Sequence, residues 1–301
     1  MRISLGPPLY YWPKEAMLAF YEAACTWPVD IVHLGEAVCS RRWQMRFADW
    51  LELGRKLQAA GKEVLLSSQA LIEGEADLKS LRRLTDQGEF LVEANDFGAV
   101  RLLAGKLPFV AGPHLNVYNA PTLELLIDAG ARRWVMPLEM SRVHLAALLR
   151  ALTKSVETEV FGLGRMPLAF SARCFTARHF NLQKDDCQFK CLDYPDGLRL
   201  ATREHQPFLV LNGIQTQSAR VYNLSAQTSG LAQEGVQVFR VSPQARDCGE
   251  LVGALRELLD GACAPEPQLQ RIARLLPDES CDGYWFGRPG LDQVSCHTAP
   301  A

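Results

Sequence analysis

The sequence predicts an α/β protein of the TIM (β/α) barrel type, irregular or incomplete in part, with a cysteine-rich loop and a C-terminal strap. Three observations predict this fold. Short apolar segments alternate with amphipathic segments along most of the chain of 301 residues. The apolar segments are often β-branched, as buried parallel strands are, and at least five strand and helix pairs precede residue 155. Because repeated strand and helix units build a parallel sheet covered by helices, this many units favour a closed barrel over an open sheet.

The first half of the chain carries the regular part of this pattern. Each predicted strand is a short run rich in Val, Ile and Leu, and each predicted helix has apolar residues spaced three or four apart. The strands are predicted at 29–34, 63–66, 90–93, 108–111 and 133–136. The helices are predicted at 14–25, 41–60, 75–87, 96–106, 120–129 and 141–152.

The second half is less regular. From Cys174 the periodicity weakens, and the polar segment 175–196 carries two more cysteines, which is typical of a loop folded around a metal. A helix is predicted at 247–259. The remaining strands are predicted at 158–162, 168–170, 198–202, 207–211 and 236–241.

We expect one large domain, residues 1–276, followed by a C-terminal extension, residues 277–301. The extension is rich in Asp, Gly and Pro and contains the run GYWFGRPG, in which Tyr284, Trp285 and Phe286 are consecutive. Such an aromatic run is usually covered by another chain or by the domain itself. The extension is therefore predicted to be a surface strap or an interface, and its last residues are expected to lack fixed structure.

Composition and charge exclude several classes of function. With 48% hydrophobic and 22% charged residues, the chain can bury a full core. A net charge of −2 provides no general field for nucleic acid or an anionic membrane. The N-terminus lacks a basic segment followed by an apolar signal core, and no stretch approaches the ~20 apolar residues that cross a bilayer. We therefore predict a cytoplasmic protein without a transmembrane segment, whose nine cysteines stay reduced.

Four cysteines predict a metal centre. Cys174, Cys187 and Cys191 lie in one segment, and Cys39 follows a predicted strand, so a folded barrel could bring all four together. Structural zinc sites usually show two close pairs of ligands, whereas only Cys187 and Cys191 form a close pair. Iron-sulfur clusters accept ligands from distant loops. The spacing favours a cluster and leaves zinc, or unconnected buried thiols, as alternatives.

The other cysteines are predicted to lie outside this centre. Cys25 lies on a predicted helix, and Cys248 and Cys263 flank the predicted C-terminal helix, where small buried hydrophobic residues are the better interpretation. Cys281 and Cys296 lie in the extension without partners at ligand spacing.

Two histidines are weaker candidates. His179 lies within the cysteine segment and could donate to a cluster sulfur, although an exposed loop histidine is the more common case. His114 follows a predicted strand and could face the barrel mouth together with Asn116 and Asn119.

Three carboxylates follow predicted strands. Glu36, Glu93 and Glu139 each come just past an apolar run, which would place them around the mouth of the barrel. Each could instead cap the next helix or form an ion pair. The candidate ion-pair partners are Arg41, Arg101 and Arg142.

The segment GRMPLAFSARC, which begins at Gly164, resembles the signature of the collagenase-like peptidase family of unknown catalytic type. That signature runs glycine, two residues, cysteine, six residues, cysteine. Here Pro167 occupies the first cysteine position and Cys174 the second, and Cys187 and Cys191 follow as in the family's continuation.

One ligand is therefore missing locally, and Cys39 is positioned to replace it. Together with LGEAVCSRR around Cys39, the segments PHLNVYNAPTLELL, RWVMPLEMSR and CQFKCLDYPDG make nearly the whole chain similar to one branch of this family. That branch serves oxygen-independent ubiquinone biosynthesis.

The resemblance implies a 4Fe-4S cluster held by Cys39, Cys174, Cys187 and Cys191. It implies a heterodimer with a UbiU-like paralogue that carries its own cluster, and a UbiT-like lipid-carrier accessory protein. The implied activity is hydroxylation of the ubiquinone ring under anaerobic conditions. A ubiquinone precursor and prephenate are the implied small-molecule ligands, with prephenate as the oxygen source.

Two rival functions stay open. The chain could be a non-catalytic scaffold subunit of that heterodimer, whose partner performs the chemistry. It could also be a peptidase, which is the weaker rival. A cysteine nucleophile needs a base and an oxyanion hole, and the sequence shows neither a nucleophile elbow nor an activated cysteine outside the candidate ligands.

Overall fold

The computed structural model describes residues 1–295, which contain twelve strands and ten α-helices. The strands are β1 (Arg2–Leu5), β2 (Ile31–Leu34), β3 (Glu63–Ser67), β4 (Leu91–Ala94), β5 (Phe109–Ala111), β6 (Ala131–Val135), β7 (Glu157–Phe170), β8 (Leu198–Ala201), β9 (Pro207–Asn212), β10 (Gln215–Asn223), β11 (Val238–Val241) and β12 (Ser280–Cys281). The helices are α1 (Lys14–Ala24), α2 (Phe47–Ala59), α3 (Glu75–Thr85), α4 (Phe97–Leu103), α5 (Ala120–Ala129), α6 (Arg142–Ala151), α7 (Phe175–His179), α8 (Thr228–Gln233), α9 (Cys248–Leu259) and α10 (Pro265–Leu275).

Eight parallel strands close into a ring, so the predicted TIM-type barrel is confirmed. Strands β1 to β7 pair in chain order, and β11 completes the ring by pairing with both β1 and β7. The closure leaves no gap, and extra strands lie outside the ring. Within the described residues, no helix has the length and apolar character needed to span a bilayer.

The interior of the ring is layered. One layer is apolar and consists of Ile31, Leu65, Val110, Val135 and Val238. Side chains on a strand alternate between its two faces, so a residue two positions later points the same way. On three of these strands that next residue is polar, and the layer toward the carboxyl ends accordingly holds buried charged and hydroxyl groups, namely His33, Ser67 and Arg240.

Strand β7 belongs to two sheets. Its first half lies in the ring between β6 and β11, and its second half pairs antiparallel with β10. Strand β10 pairs with β9, and β9 pairs with β8, which builds a small antiparallel sheet beyond the ring. The cysteine-rich loop connects the end of β7 to β8.

Several boundaries differ from the prediction. The strands predicted at 158–162 and 168–170 are one continuous strand, β7. The unpredicted elements are β1, β10, β12, α7, α8 and α10. The helix predicted at 41–60 begins only at Phe47, because the side chain of Asp49 accepts a hydrogen bond from the backbone of Arg46 (2.7 Å) and starts the helix there.

The C-terminal tail packs on the barrel through two of its three consecutive aromatic residues, Tyr284 and Trp285. Trp285 is 1% exposed and joins the main core, whereas Phe286 is 40% exposed. Ahead of them, β12 pairs with β10. The strap is thus observed at Tyr284 and Trp285, and an interface at Phe286 stays a prediction. Cys296 and the last residues of the tail lie outside the described residues.

Candidate functional site

The structure brings the four predicted cysteines around one cavity. Cys39 follows β2, Cys174 precedes the first residue of α7, and Cys187 and Cys191 lie on the 3-10 turns of the next loop. All four line a cavity of about 20 Å³. Cys39 and Cys174 are buried, and Cys187 and Cys191 are half-buried. Three separate segments of the chain therefore contribute thiols to one place.

The loop between Cys187 and Cys191 turns sharply. Gln188 and Phe189 both have left-handed backbone conformations, with φ of 49° and 50°. The ring of Phe189 also lines the thiol cavity. It lies 6.0 Å from the ring of Tyr11 and 6.4 Å from that of Trp43. These aromatic rings cover one side of the loop.

A buried arginine lies among the thiols. Arg42 donates to the backbone oxygen of Leu9 (2.7 Å) and to Asn212 Oδ1 (2.6 Å), which fixes its guanidinium within the cavity wall. Its Nε is buried and has no hydrogen-bond partner among the described residues. A buried cation with an unused donor favours negative charge beside it.

Backbone N–H groups also point at sulfur. The N–H of Ala177 donates to Cys174 Sγ at 3.3 Å, because Cys174 is the N-cap residue of α7. Such N–H contacts stabilise a thiolate and tune a cluster bound to it.

Burial favours the protonated form of three thiols, Cys39, Cys174 and Cys191. It raises the pKa of Cys39 to about 11, against the opposing effect of Arg42. Burial also raises the pKa of Cys174 and of Cys191. A protonated thiol is a poor nucleophile, whereas a metal can bind it by displacing the proton. The raised pKa values thus count against nucleophilic catalysis by Cys39, Cys174 and Cys191.

The donor geometry does not match a single small ion. In residues 1–295, no group of three or more His, Cys, Asp or Glu side chains converges closely enough to hold one metal ion. A tetrahedral zinc site needs its sulfur ligands at about 2.3 Å from the ion. A cluster offers its thiolates separate iron corners and accepts a wider spread.

Pro167 does not line the thiol cavity. It is on β7 and lines a second small cavity, at the mouth of the barrel, together with Leu9, His114 and Arg240. None of the four cysteines lines that second cavity. The position that holds a cysteine in the family signature therefore faces the barrel axis, whereas Cys39 faces the other three thiols.

The barrel axis holds a buried charge network. Arg240 donates to Glu93 Oε1 (2.5 Å) and to Glu159 Oε1 (2.7 Å). Glu93 Oε2 accepts from Ser67 Oγ (2.7 Å), and His33 lies beside it. Burial opposes ionisation of Glu93, but Arg240 and His33 outweigh it and hold its pKa well below the usual range. Glu93 thus lies at the mouth as predicted, with Arg240 rather than Arg101 as its partner.

Of the three residues predicted on the loop after β5, only His114 reaches the mouth. Its ring packs edge-on against Phe170 with centroids 4.8 Å apart, and burial lowers its pKa to about 4. Asn116 is exposed in a left-handed turn. Asn119 caps α5 by accepting from the backbone of Thr122 (2.9 Å).

Of the remaining candidates, Glu36 lies near the thiols, whereas Glu139 and His179 lie away from the thiol cavity. Glu36 Oε1 accepts hydrogen bonds from the backbone N–H groups of Val38 (2.9 Å) and Cys39 (3.0 Å). Glu139 is exposed and bonds to Tyr118. His179 is exposed and does not line the thiol cavity.

Arg42 and Arg240 were not predicted from the sequence as site residues. Arg42 lies three residues after Cys39, so its position beside a candidate ligand was a usable signal. Arg240 gave no such signal, because it meets Glu93 only when β11 closes the ring.

Comparison with known proteins gives one family and several solved structures that match over most of this chain. A family model described as Peptidase family U32 matches residues 17–294. A solved U32 peptidase is 13% identical and covers 81% of this chain and 93% of its own, with a TM-score of 0.45. Dihydropteroate synthase from Thermus thermophilus is 16% identical, covers 85% and 94%, and has a TM-score of 0.37. A DAHP synthase from Thermotoga maritima is 12% identical, covers 93% and 70%, and has a TM-score of 0.34.

Proposed function

We propose, from the premise that this chain belongs to peptidase family U32, that it is a UbiV-like iron-sulfur protein of oxygen-independent ubiquinone biosynthesis. In this proposal Cys39, Cys174, Cys187 and Cys191 hold a 4Fe-4S cluster. The observation that carries the proposal is the convergence of these four thiols on one cavity beside the buried guanidinium of Arg42.

The donor set fits such a cluster. Four thiols come from three segments, and a cluster binds one thiolate at each corner. A bound 4Fe-4S cluster supplies one-electron redox chemistry. Arg42 offsets part of the negative charge of the thiolates, and the N–H of Ala177 donates to Cys174 Sγ. Phe189 lines the cavity and packs near Tyr11.

The two halves of the donor set differ in burial and in the elements that carry them. Cys39 and Cys174 are buried and held next to β2 and α7, whereas Cys187 and Cys191 lie half-buried on short 3-10 turns. A cavity of about 20 Å³ holds little more than one water. We expect the segment 184–193 to move outward when the cluster enters, while Cys39 and Cys174 keep their places.

Peptidase activity is the less supported function. The pKa values of Cys39, Cys174 and Cys191 are raised, so these thiols are poor nucleophiles at neutral pH. Among the described residues that line the thiol cavity there is no histidine to act as a base. The proposal extends to a cytoplasmic heterodimer with a UbiU-like paralogue, a UbiT-like accessory protein, and a ubiquinone precursor and prephenate as ligands. A scaffold role within that heterodimer is the rival.

The test is metal and sulfide analysis of the full chain purified without oxygen. A brown protein with iron and acid-labile sulfide in equal amounts is expected. A colourless protein that contains zinc, or neither iron nor sulfide after reconstitution, would overturn the proposal.

A further inference from the structure

A larger cavity lies beside the thiol site, between helices α2 and α3. Its volume is about 210 Å³. We propose that this cavity is a binding site for a neutral aromatic ring that carries hydroxyl groups, such as a phenol or a quinol.

The walls of the cavity are mainly apolar and aromatic. Trp50, Met45 and Leu81 are buried lining residues, and Trp43, which also lines the cavity, is 68% exposed. Flat apolar walls favour a planar ring, through area burial and aromatic contacts. For comparison, an apolar protein cavity of roughly 150 Å³ holds a benzene molecule. The volume therefore suits one substituted ring.

The charged lining groups offer acceptors rather than donors. Glu36 Oε1 is occupied by Val38, Cys39 and Arg42, but Glu36 Oε2 has no partner among residues 1–295. Asp77 is more than nine-tenths buried; its Oδ2 accepts from the backbone of Glu73 (2.9 Å), and its Oδ1 has no partner among the same residues. Both side chains line the cavity.

The cation in the wall, Arg42, has one nitrogen without a partner among the described residues, its Nε. Its two terminal nitrogens are bonded to Leu9, Glu36 and Asn212. A ligand carboxylate would meet Glu36 and Asp77 and be repelled, since a like charge in a low-dielectric cavity is costly. A hydroxyl group can donate to either carboxylate. The wall chemistry thus selects phenols and quinols over aromatic acids.

The cavity is adjacent to the thiols. Arg42 lines both cavities, and Glu36 is bonded to the backbone of Cys39 while facing the larger one. A ring bound here would lie on the other side of the 36–42 segment from the thiols. The identification of this ring as the one that is hydroxylated rests on the proposed function. The inference that the cavity binds such a ring does not.

The test is calorimetric titration of the full chain with hydroquinone and with benzoate. Ser80→Phe is the blocking variant, because Ser80 is an exposed α3 residue that lines the cavity and bonds only to the backbone of Ala76. Lys79→Phe is the matched control, since Lys79 is exposed on the same helix and does not line the cavity. We expect hydroquinone to bind wild type and Lys79→Phe alike, and to bind Ser80→Phe at least about tenfold more weakly. Benzoate should bind wild type at least about tenfold more weakly than hydroquinone.

Equal hydroquinone affinity in Ser80→Phe, benzoate binding as tight as hydroquinone, or no hydroquinone binding to wild type at millimolar concentration would each overturn the proposal. Leu84→Phe, at another α3 residue lining the cavity, replaces Ser80→Phe if that variant does not fold. Iron content is measured on the same samples. Hydroquinone binding to a protein without iron would support this binding site and reject the cluster. A protein that contains iron but does not bind hydroquinone would reject this binding site alone.

Discussion

The carboxylate of Glu36 accepts a hydrogen bond from the backbone N–H of Cys39 across 3.0 Å, and the same oxygen accepts from Val38. The loop that carries the most distant of the four thiols is therefore shaped by a side chain three residues before it. Glu36, a carboxylate just past the end of β2, therefore helps to hold the loop that carries Cys39.

Replacing Glu36 by Ala should loosen that loop. Removal of the acceptor leaves the N–H groups of Val38 and Cys39 unpaired, so we expect the free energy of unfolding to fall by about 1–3 kcal/mol and the iron content to fall with it. Glu139→Ala is the control, because Glu139 is an exposed carboxylate after another strand. Urea unfolding and iron analysis check this. Full iron content in Glu36→Ala would contradict it.

Loss of any one ligand should remove most of the bound iron. Cys39→Ala, Cys174→Ala, Cys187→Ala and Cys191→Ala each leave one cluster corner to water or a weaker ligand. Cys25→Ala and Cys248→Ala should retain iron, since neither residue lines the thiol cavity. Iron and sulfide analysis of protein purified without oxygen is the measurement. Complete retention in Cys39→Ala would refute the replacement of the ligand missing at Pro167.

Breaking the buried pair on the barrel axis should be costly. Arg240→Met leaves the carboxylates of Glu93 and Glu159 buried without their shared cation, and we expect a loss of about 3–5 kcal/mol in the free energy of unfolding. Arg55→Met removes an exposed pair with Glu89 and should leave the free energy of unfolding nearly unchanged. Chemical denaturation compares the two. Equal losses would show that the axial network contributes no more than a surface pair.

Acid should destabilise the protein through His114. Burial lowers its folded pKa to about 4, while the unfolded chain titrates near ~6.5. The unfolded state therefore binds the proton first, and stability that is complete above ~6.5 is lost as the pH falls toward 4. In metal-free protein, His114→Gln should flatten the stability profile between pH 7 and pH 4.5. An unchanged profile, measured by urea unfolding across that range, would exclude His114 as its source.

Loss of the protein should abolish ubiquinone synthesis only in anaerobically grown cells. In the proposed function an oxygen-sensitive cluster would serve a hydroxylation that runs where oxygen is scarce, and oxygen-dependent enzymes are expected to continue in air. Quinone content of deletion cells complemented with wild type or with Cys187→Ala is the measurement. Normal anaerobic ubiquinone with a folded Cys187→Ala variant that still pairs with its partner would favour the scaffold role.

The sequence predicted the elements whose pattern is local. The predicted helix at 120–129 has the bounds of α5, because Asn119 caps one end and Gly130, with a positive φ, ends the other. Strand β10 was missed because its buried face carries Gln215 and Gln217 rather than apolar residues, and its burial depends on β7 and β9.

The sequence pattern could not predict contacts between residues that are far apart in the chain. Glu93 was placed at the mouth by its position after a strand, but Arg240 could not be assigned to it, because 147 residues separate them and only ring closure brings them together. The helix predicted through Arg41 and Arg42 fails for a related reason. Arg42 lies in the loop before α2, and its side chain bonds to Leu9 and Asn212, which are on other segments of the chain.

Strand β7, which is shared by the ring and the outer sheet, sets the order in which the thiol site can be assembled. Cys39 is synthesised early, but its companions follow β7 and cannot be positioned until the ring has seven of its strands and β10 has paired outside it. During synthesis Cys39 is therefore present before the other three thiols can be positioned beside it. If the site binds the proposed cluster, loading is expected only once the barrel is nearly complete, and a chain that stalls midway would have no complete donor set to capture iron.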